Sequence, residues 1–403
     1  MTAVHLAADS IAVLNLLLAT GWLLKAVAAL RGVPTLADLT QKSMPLPDLD
    51  ATEGPDVTVV VPACNEEQAI ETTLRSLLGS EGVRLEIIAI DDRSTDRTGS
   101  RMDRVAAQAR SAGSPHTLKV IHNRDLPAGW IGKPHALALG ADHAQASWLL
   151  FSDGDIQFDP RAIALGLGHA QAERADHLVL AFTLDLKSVA EEAVMGAFGA
   201  LSLWNFRPWK IADDQARDFF GAGGFSLVRR QVYEQLGGFG AVRMEVVEDL
   251  RLALKIKRAG YRQRFVLGPG LVRIRWIEGA LGLVTVLEKN GFAGLRYRTG
   301  LALLAFFGLA VQIALPLAAM ALRGWSALAG LLVYATILLA YRASRPISQV
   351  SPWLAVFFAP AAAILLFALI RSMTLALLRD GVEWRGTRYP LEELRRNAGR
   401  NWR

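Results

Sequence analysis

Two carboxylates on alternate residues, Asp153-Gly154-Asp155, follow the apolar run at 148–151. Such a pair offers hard oxygen ligands to Mg2+ or Mn2+, ions that keep open positions for substrate phosphates. The same residues also suit an ordinary turn. A second pair, Asp91-Asp92, ends the apolar run at 85–90 and opens the loop Asp91-Asp92-Arg93-Ser94-Thr95-Asp96. There Ser94 or Thr95 can cap a helix, with Asp96 in its first turn. The cap leaves the adjacent carboxylates unexplained; one of them can accept a hydrogen bond from a base N–H or a ribose hydroxyl. Gly129-Trp130-Ile131-Gly132-Lys133 precedes a helical pattern from His135. Its glycines permit close backbone approach to a ligand, and Lys133 can meet a phosphate as a point charge. The glycine spacing is not that of a Walker A loop. Glu248-Asp249 stands at a helix start, either to satisfy the helix dipole or to supply a general base. Cys64, the single cysteine, reads as a small buried residue, and the seven histidines show no zinc-ligand spacing. Trp204 and Trp209 suit either core packing or an acceptor platform.

Positioning these residues is the task of an α/β domain. Strand-like runs at 57–61, 85–90, 118–121 and 148–151 alternate with helical patterns at 66–78, 101–110 and 135–146. That alternation predicts a mostly parallel sheet wrapped by helices. Ligands of such sheets bind beyond the carboxyl ends of the strands, where both acidic pairs fall.

Apolar runs flank this domain. Residues 6–30 are long enough to span a bilayer, and from Ile11 on only Lys25 interrupts the run, near its end. Met1 to Ser10 carry no Lys or Arg, which favours a retained helix over a cleaved signal. Three further runs, at 301–322, 325–341 and 353–378, read as membrane helices. Basic residues after the first run place the following domain inside. Three more crossings would then put the tail outside, although it carries Arg379, Arg385, Arg388, Arg395, Arg396, Arg400 and Arg403. One segment is therefore expected to be re-entrant or interfacial, and the run containing Pro360 is the candidate.

The chain has 403 residues, 52% of them apolar and 20% charged, with a net charge of +6. That excludes a mainly disordered chain and, with one cysteine, a disulfide framework. No basic run is interleaved with aromatics, so nucleic acid is not an expected partner.

Together the motifs resemble the family-2 glycosyltransferases, whose domain has the GT-A fold. Val60-Val61-Pro62-Ala63-Cys64-Asn65-Glu66-Glu67 looks like the family's first strand and nucleotide-contacting turn. The segment from Ile88 through Asp91-Asp92 to Gly99 looks like its second. Gly132-Lys133 with Ala136 matches the segment near the diphosphate, Asp153-Gly154-Asp155 the metal-binding motif, and Glu248-Asp249 the acidic pair. Gly221-Ala222-Gly223 stands where relatives carry an acceptor-side glycine motif. The resemblance implies donor contacts from Pro62, Ala63, Glu66, Asp92, Lys133 and Asp153. It implies Mg2+ or Mn2+ on Asp155 and Asp153, and Asp249 as base beside Glu248. Gly223, Trp209, Arg275 and Trp276 fall to the acceptor side. Val272 stands where processive synthases carry Gln or Arg ahead of Arg-Trp, which argues against polymerisation.

The expected organisation is a transmembrane helix at 6–30, a linker at 31–55 and a GT-A domain at 56–270. An interfacial segment at 271–300, membrane helices at 301–378 and a basic tail at 379–403 follow. The expected activity is inverting transfer of a sugar, from a UDP-sugar by preference, to a membrane lipid or lipid-linked acceptor. The site is a bacterial inner membrane crossed several times, with the catalytic domain in the cytoplasm. A processive polysaccharide synthase, a catalytically inactive scaffold and a transporter are the alternatives.

Overall fold

The computed structural model describes residues 3–49 and 54–401; residues 50–53 of the expected linker and Arg403 of the expected tail lie outside them. In chain order, α1 (Ala3–Gly32) precedes β1 (Val57–Ala63), α2 (Ile70–Leu78), β2 (Leu85–Asp92) and α3 (Thr98–Ser111). Next come β3 (Thr117–Asn123), α4 (Gly132–Asp142), β4 (Trp148–Phe151), β5 (Ile156–Phe158) and α5 (Ala162–Ala172). Then follow β6 (His177–Leu180), β7 (Thr183–Leu184), α6 (Val189–Ser202), β8 (Ser226–Arg229), α7 (Arg230–Gln235) and α8 (Glu248–Arg258). After β9 (Gln263–Val266) and β10 (Val272–Ile274) the chain is helical through α9 (Gly282–Gly294), α10 (Thr299–Met320), α11 (Trp325–Ser348) and α12 (Phe358–Leu378). It ends with β11 (Gly381–Trp384), β12 (Thr387–Pro390) and α13 (Leu391–Asn401).

The chain divides into two compact units. The α/β unit takes residues 36–185, 210–275 and 383–401 of the described chain. Its main sheet has the order β3-β2-β1-β4-β8-β6-β9. All pairings are parallel except those of β8 with β4 and β6. Every residue of β1 and β2 is buried, as expected of central strands covered on both faces. Each Val, Ile or Leu placed there contributes about 1.5–3 kcal/mol. On one face Val60, Leu149, Phe151 and Val228 pack against Leu137 of α4 and Leu252 and Ile256 of α8. Two polar side chains inside this sheet satisfy each other: the Thr58 hydroxyl donates to Glu86 at 2.6 Å. The register sets Ala63 opposite Asp91 and Asp92 opposite Asn123, so the carboxyl ends of β1, β2 and β3 finish together. A smaller sheet has the order β5-β10-β7.

The four strand-like runs read from the sequence are β1 to β4. Two helix starts differ. Helix α3 begins at Thr98, and neither Ser94 nor Thr95 caps it. Asp96 instead accepts from the Thr98 amide at 2.9 Å. Ser94 and Thr95 are drawn away to bond Asn65 on the neighbouring loop. Helix α4 begins at Gly132, three residues before the periodic pattern, because Pro134 is compatible with a first helical turn.

The other unit is helical and takes residues 3–35, Leu186–Trp209 and Trp276–Val382. Four of its helical segments are long and apolar enough to cross a membrane: Ala8–Thr35, Thr299–Met320, Trp325–Ser348 and Pro352–Leu378. Small residues permit close approach, as a side chain at Gly330 would meet the Pro316 carbonyl. Trp22 is buried edge-on between Trp204 and Phe358. Leu24, Leu304, Phe307 and Leu378 face outward, which suits lipid. Pro360 does not break its segment. It occupies the third position of α12, where a helix loses no internal hydrogen bond to proline.

Candidate active site

Lys133 joins two distant parts of the sequence. It is the second residue of α4, and its Nζ lies 2.6 Å from Asp153 Oδ1 and 2.6 Å from Glu248 Oε1. The Asp153 carboxylate follows β4, while Glu248 is the first residue of α8. Burial acts to lower the Lys133 pKa, but Asp153, Glu248 and Asp249 overcome it and hold the ammonium well above its usual range. The cation is therefore permanent, and it ties the strand end to the helix start.

Asp249 follows Glu248 and accepts from the Leu250 amide at 2.7 Å. Burial, and then the Glu248 charge, push its pKa up to about 7, with Lys133 offsetting part of the rise. A carboxyl so placed changes charge near neutral pH, which suits a general base. Asp155 is pushed up to about 7 as well, first by burial and then by Asp153 and Glu66. Burial also raises the Glu66 pKa, against the opposing charge of Arg385.

The glycines at 221 and 223 have a steric cause. A Cβ at Gly223 would come within 2.4 Å of Asp153 Oδ2 and 3.0 Å of Lys133 Nζ, and one at Gly221 would overlap the Asp249 carbonyl. The Gly221-Ala222-Gly223 segment thus packs directly on the acidic cluster.

The ends of β1 and β2 form the adjoining wall. Pro62 and Ala63 close β1 and are buried. The Asp92 carboxylate is gripped by Arg93 through Nε at 3.0 Å and Nη2 at 2.9 Å, and by Asn123 at 2.8 Å. Asp91, the preceding strand residue, has its carboxylate 2.9 Å from His122 Nδ1. Strand alternation separates the two carboxylates, so only Asp92 turns toward α4. A Cβ at Gly132 would meet Asp92 Oδ2 at 2.8 Å. Glu66 and Glu67 are fixed through their amides, which donate to Thr98 Oγ1 and Asp96 Oδ2.

Of the remaining expected residues, Arg275 belongs to the α/β unit and donates to the Asp185 carbonyl at 2.6 Å. Trp209 and Trp276 belong to the helical unit. Trp209 stacks over Gly32, and Trp276 lies 5.7 Å from Phe198. Among the described residues no three His, Cys, Asp or Glu side chains converge as ligands for one metal ion. The chemistry of Asp153 and Asp155 still fits Mg2+ or Mn2+, because such ions take one or two carboxylates and complete their shell with phosphate and water. The crowding that raises Asp155 is what a bound cation would relieve.

Several contributors leave no signal in the sequence. Glu245 and Arg251 form an ion pair at 3.0 Å with side chains 4% and 1% exposed, and it clamps the start of α8. Arg93 and Asn123 hold Asp92. The C-terminal tail brings Arg385 to Glu66 and Tyr389 to Gly132. Contacts at such separations in sequence leave no periodic trace.

Residues 58–237 match the family model described as Glycosyl transferase family 2. The chain is 34% identical over 104 residues to a 4,4'-diaponeurosporenoate glycosyltransferase of Staphylococcus haemolyticus (strain JCSC1435), covering 26% of this chain and 25% of the relative. It is 24% identical over 197 residues to the protein of the same name from Staphylococcus aureus (strain MRSA252), covering 49% and 50%. The chain thus spans at most about half the length of these relatives. A mannosyltransferase of Pyrobaculum calidifontis, solved in complex with GDP-Man and Mn2+, superposes with a TM-score of 0.52 at 19% identity, over 92% of this chain and 99% of that one. That last likeness is one of fold.

Proposed function

On the match of residues 58–237 to the Glycosyl transferase family 2 model, and on the fold shared with a mannosyltransferase, we propose that the protein moves a sugar from a nucleotide-sugar donor to a lipid acceptor at the membrane surface. The observation that carries the reading is the Lys133 clasp, which brings Asp153 and Glu248-Asp249 to one place beside the ends of β1 and β2. A UDP-sugar is the donor of first choice.

In this reading the base and ribose lie against Pro62, Ala63 and Asp92, and the diphosphate lies toward Glu66, Lys133 and Asp153. Asp155 and Asp153 would hold Mg2+ or Mn2+, which when bound supplies positive charge to the leaving diphosphate. Asp249 takes the proton from the acceptor hydroxyl as its oxygen attacks the anomeric carbon, inverting the configuration. Glu248 keeps Lys133 in place and raises the basicity of Asp249. Much of the acceleration comes from holding donor and acceptor in line. Gly223, beside Asp153, lies on the acceptor side, and Arg275, Trp209 and Trp276 are further acceptor-side candidates.

Four apolar helices support a membrane site and an apolar acceptor, as does the acceptor for which the staphylococcal relatives are named. The basic residues after α1 support an α/β unit on the cytoplasmic side of an inner membrane. The tail supports the same side. Residues 383–401 fold in one unit with residues 36–185, so the intervening segment crosses an even number of times. At most two of α10, α11 and α12 then cross the bilayer.

The test is transfer of radiolabel from UDP- and GDP-sugars to a bacterial lipid extract by the purified full chain with Mn2+. The reading predicts organic-extractable label in wild type and its loss in Asp249→Asn. Full activity in that variant would sink the assignment of the base.

A further inference from the structure

The tail reaches the donor loops by a specific and locally unfavourable arrangement. Strands β11 and β12 are joined by two residues, Arg385 and Gly386, with φ of +50° and +74°. Positive φ at both positions is the pattern of a type I′ hairpin turn, where Asn-Gly is strongly favoured. Arginine in the left-handed region costs free energy that the turn itself does not require. Its side chain is aimed at the site: the guanidinium pairs with the Glu66 carboxylate and donates to the Asn65 carbonyl at 3.5 Å. Two residues further, Thr387 Oγ1 accepts from Arg93 at 3.2 Å. Buried Tyr389 accepts on its hydroxyl from the Gly132 amide at 3.1 Å, at the first residue of α4.

The opposing residues share the strain. Eight non-glycine residues have positive φ among the described residues, and three of them, Asn65, Arg93 and Arg385, meet at this point. Backbone strain persists where surrounding contacts over-determine it, and it gathers at ligand sites. Glu66, Asp153 and Asp155 repel one another, while Lys133 is already engaged by Asp153 and Glu248. A second cation, Arg385 at Glu66, suits a polyanion entering the cluster, and a guanidinium pairs well with phosphate oxygens.

We propose that the hairpin tip is part of the donor site, with Arg385 a direct ligand of the nucleotide's phosphates and Tyr389 a positioning residue for the first turn of α4. The inference rests on the nucleotide-sugar reading. On donor binding Arg385 exchanges its Glu66 partner for the diphosphate, and no covalent bond changes.

The experiment is calorimetric titration of the detergent-purified full chain with UDP and with GDP, in Mg2+, for wild type, Arg385→Asn, Arg385→Lys and Arg396→Ala. Asparagine suits the turn better than arginine, so Arg385→Asn is expected to keep or raise the melting temperature. It should nevertheless raise the Kd of the nucleotide that wild type prefers at least tenfold. Arg385→Lys should recover part of the loss, and Arg396→Ala, on the exposed face of α13, should match wild type. Wild-type affinity in Arg385→Asn would overturn the inference while leaving the donor site intact. A melting temperature lowered by several degrees in both Arg385 variants would assign the residue to folding and also overturn it. No binding of either nucleotide by wild type would remove the nucleotide-sugar reading, and the inference with it.

Discussion

Replacing Asp249 by Asn should stabilise the protein while abolishing transfer. The Asp249 carboxyl titrates near 7 in the fold against about 3.9 in an unfolded chain, a rise of about 3 units. At 1.36 kcal/mol per unit the ionised form is disfavoured by about 4 kcal/mol, an upper bound that solvent screening at a half-buried group reduces to about 1–2 kcal/mol. The sign follows from a folded pKa raised above the unfolded one. The penalty is absent below about pH 4, grows as pH rises between the two values, and is complete above about 7. Asparagine has the same shape and can still accept from the Leu250 amide, but carries no charge. In a metal-free, donor-free sample the melting temperature of Asp249→Asn should exceed that of wild type by about 3–6 °C at pH 8. The gain should shrink steadily toward pH 5. Tryptophan fluorescence during a thermal ramp reads it directly. Asp155 also titrates near 7, but it is present in both proteins and its effect largely cancels in the difference. A gain of equal size at both pH values would refute the electrostatic argument, as would a variant less stable than wild type at pH 8. Transfer should fall at least about 100-fold, and wild-type kcat/KM should rise with pH through about 7.

Three further outcomes follow from the geometry. Gly223→Ala places a methyl 2.4 Å from Asp153 Oδ2, so nucleotide affinity should fall at least tenfold by titration, with little change in secondary structure by circular dichroism. Glu245→Gln removes the carboxylate charge set against the buried Arg251 guanidinium, at a cost of about 3–5 kcal/mol, and should lower the melting temperature by 6 °C or more. In a Cys64→Ser background, a cysteine at position 396 should resist an impermeant maleimide in intact spheroplasts and react once the membrane is opened. Labelling in intact spheroplasts would contradict a cytoplasmic α/β unit.

The sheet was legible because β1, β2 and β4 are short β-branched or apolar runs bounded by polar loops, and burial on both faces demands that composition. The acidic pairs were legible because strand ends in such sheets are where ligands sit. Asp91 and Asp92 could not be told apart by composition. Their roles diverge through strand alternation and through His122, Arg93 and Asn123, which arrive from elsewhere in the chain. Ser94 and Thr95 suit a helix cap in isolation, and only the proximity of Asn65 redirects them. Pro360 suggested a break because periodicity places it inside an apolar run. The helix actually starts two residues earlier, at Phe358, after a 3-10 turn that begins at Pro352. The tail showed only as an excess of arginine, and neither its hairpin nor the contacts of Arg385 and Tyr389 follow from charge.

The most direct test of the central claim is UDP binding to the detergent-purified full chain, with and without Mn2+, for wild type and Asp155→Asn. The account predicts binding strengthened at least tenfold by the metal in wild type, and no metal effect in the variant. Binding that ignores both Mn2+ and the substitution, or no binding of UDP or GDP under any condition, would contradict a metal-assisted nucleotide-sugar site at Asp153-Gly154-Asp155.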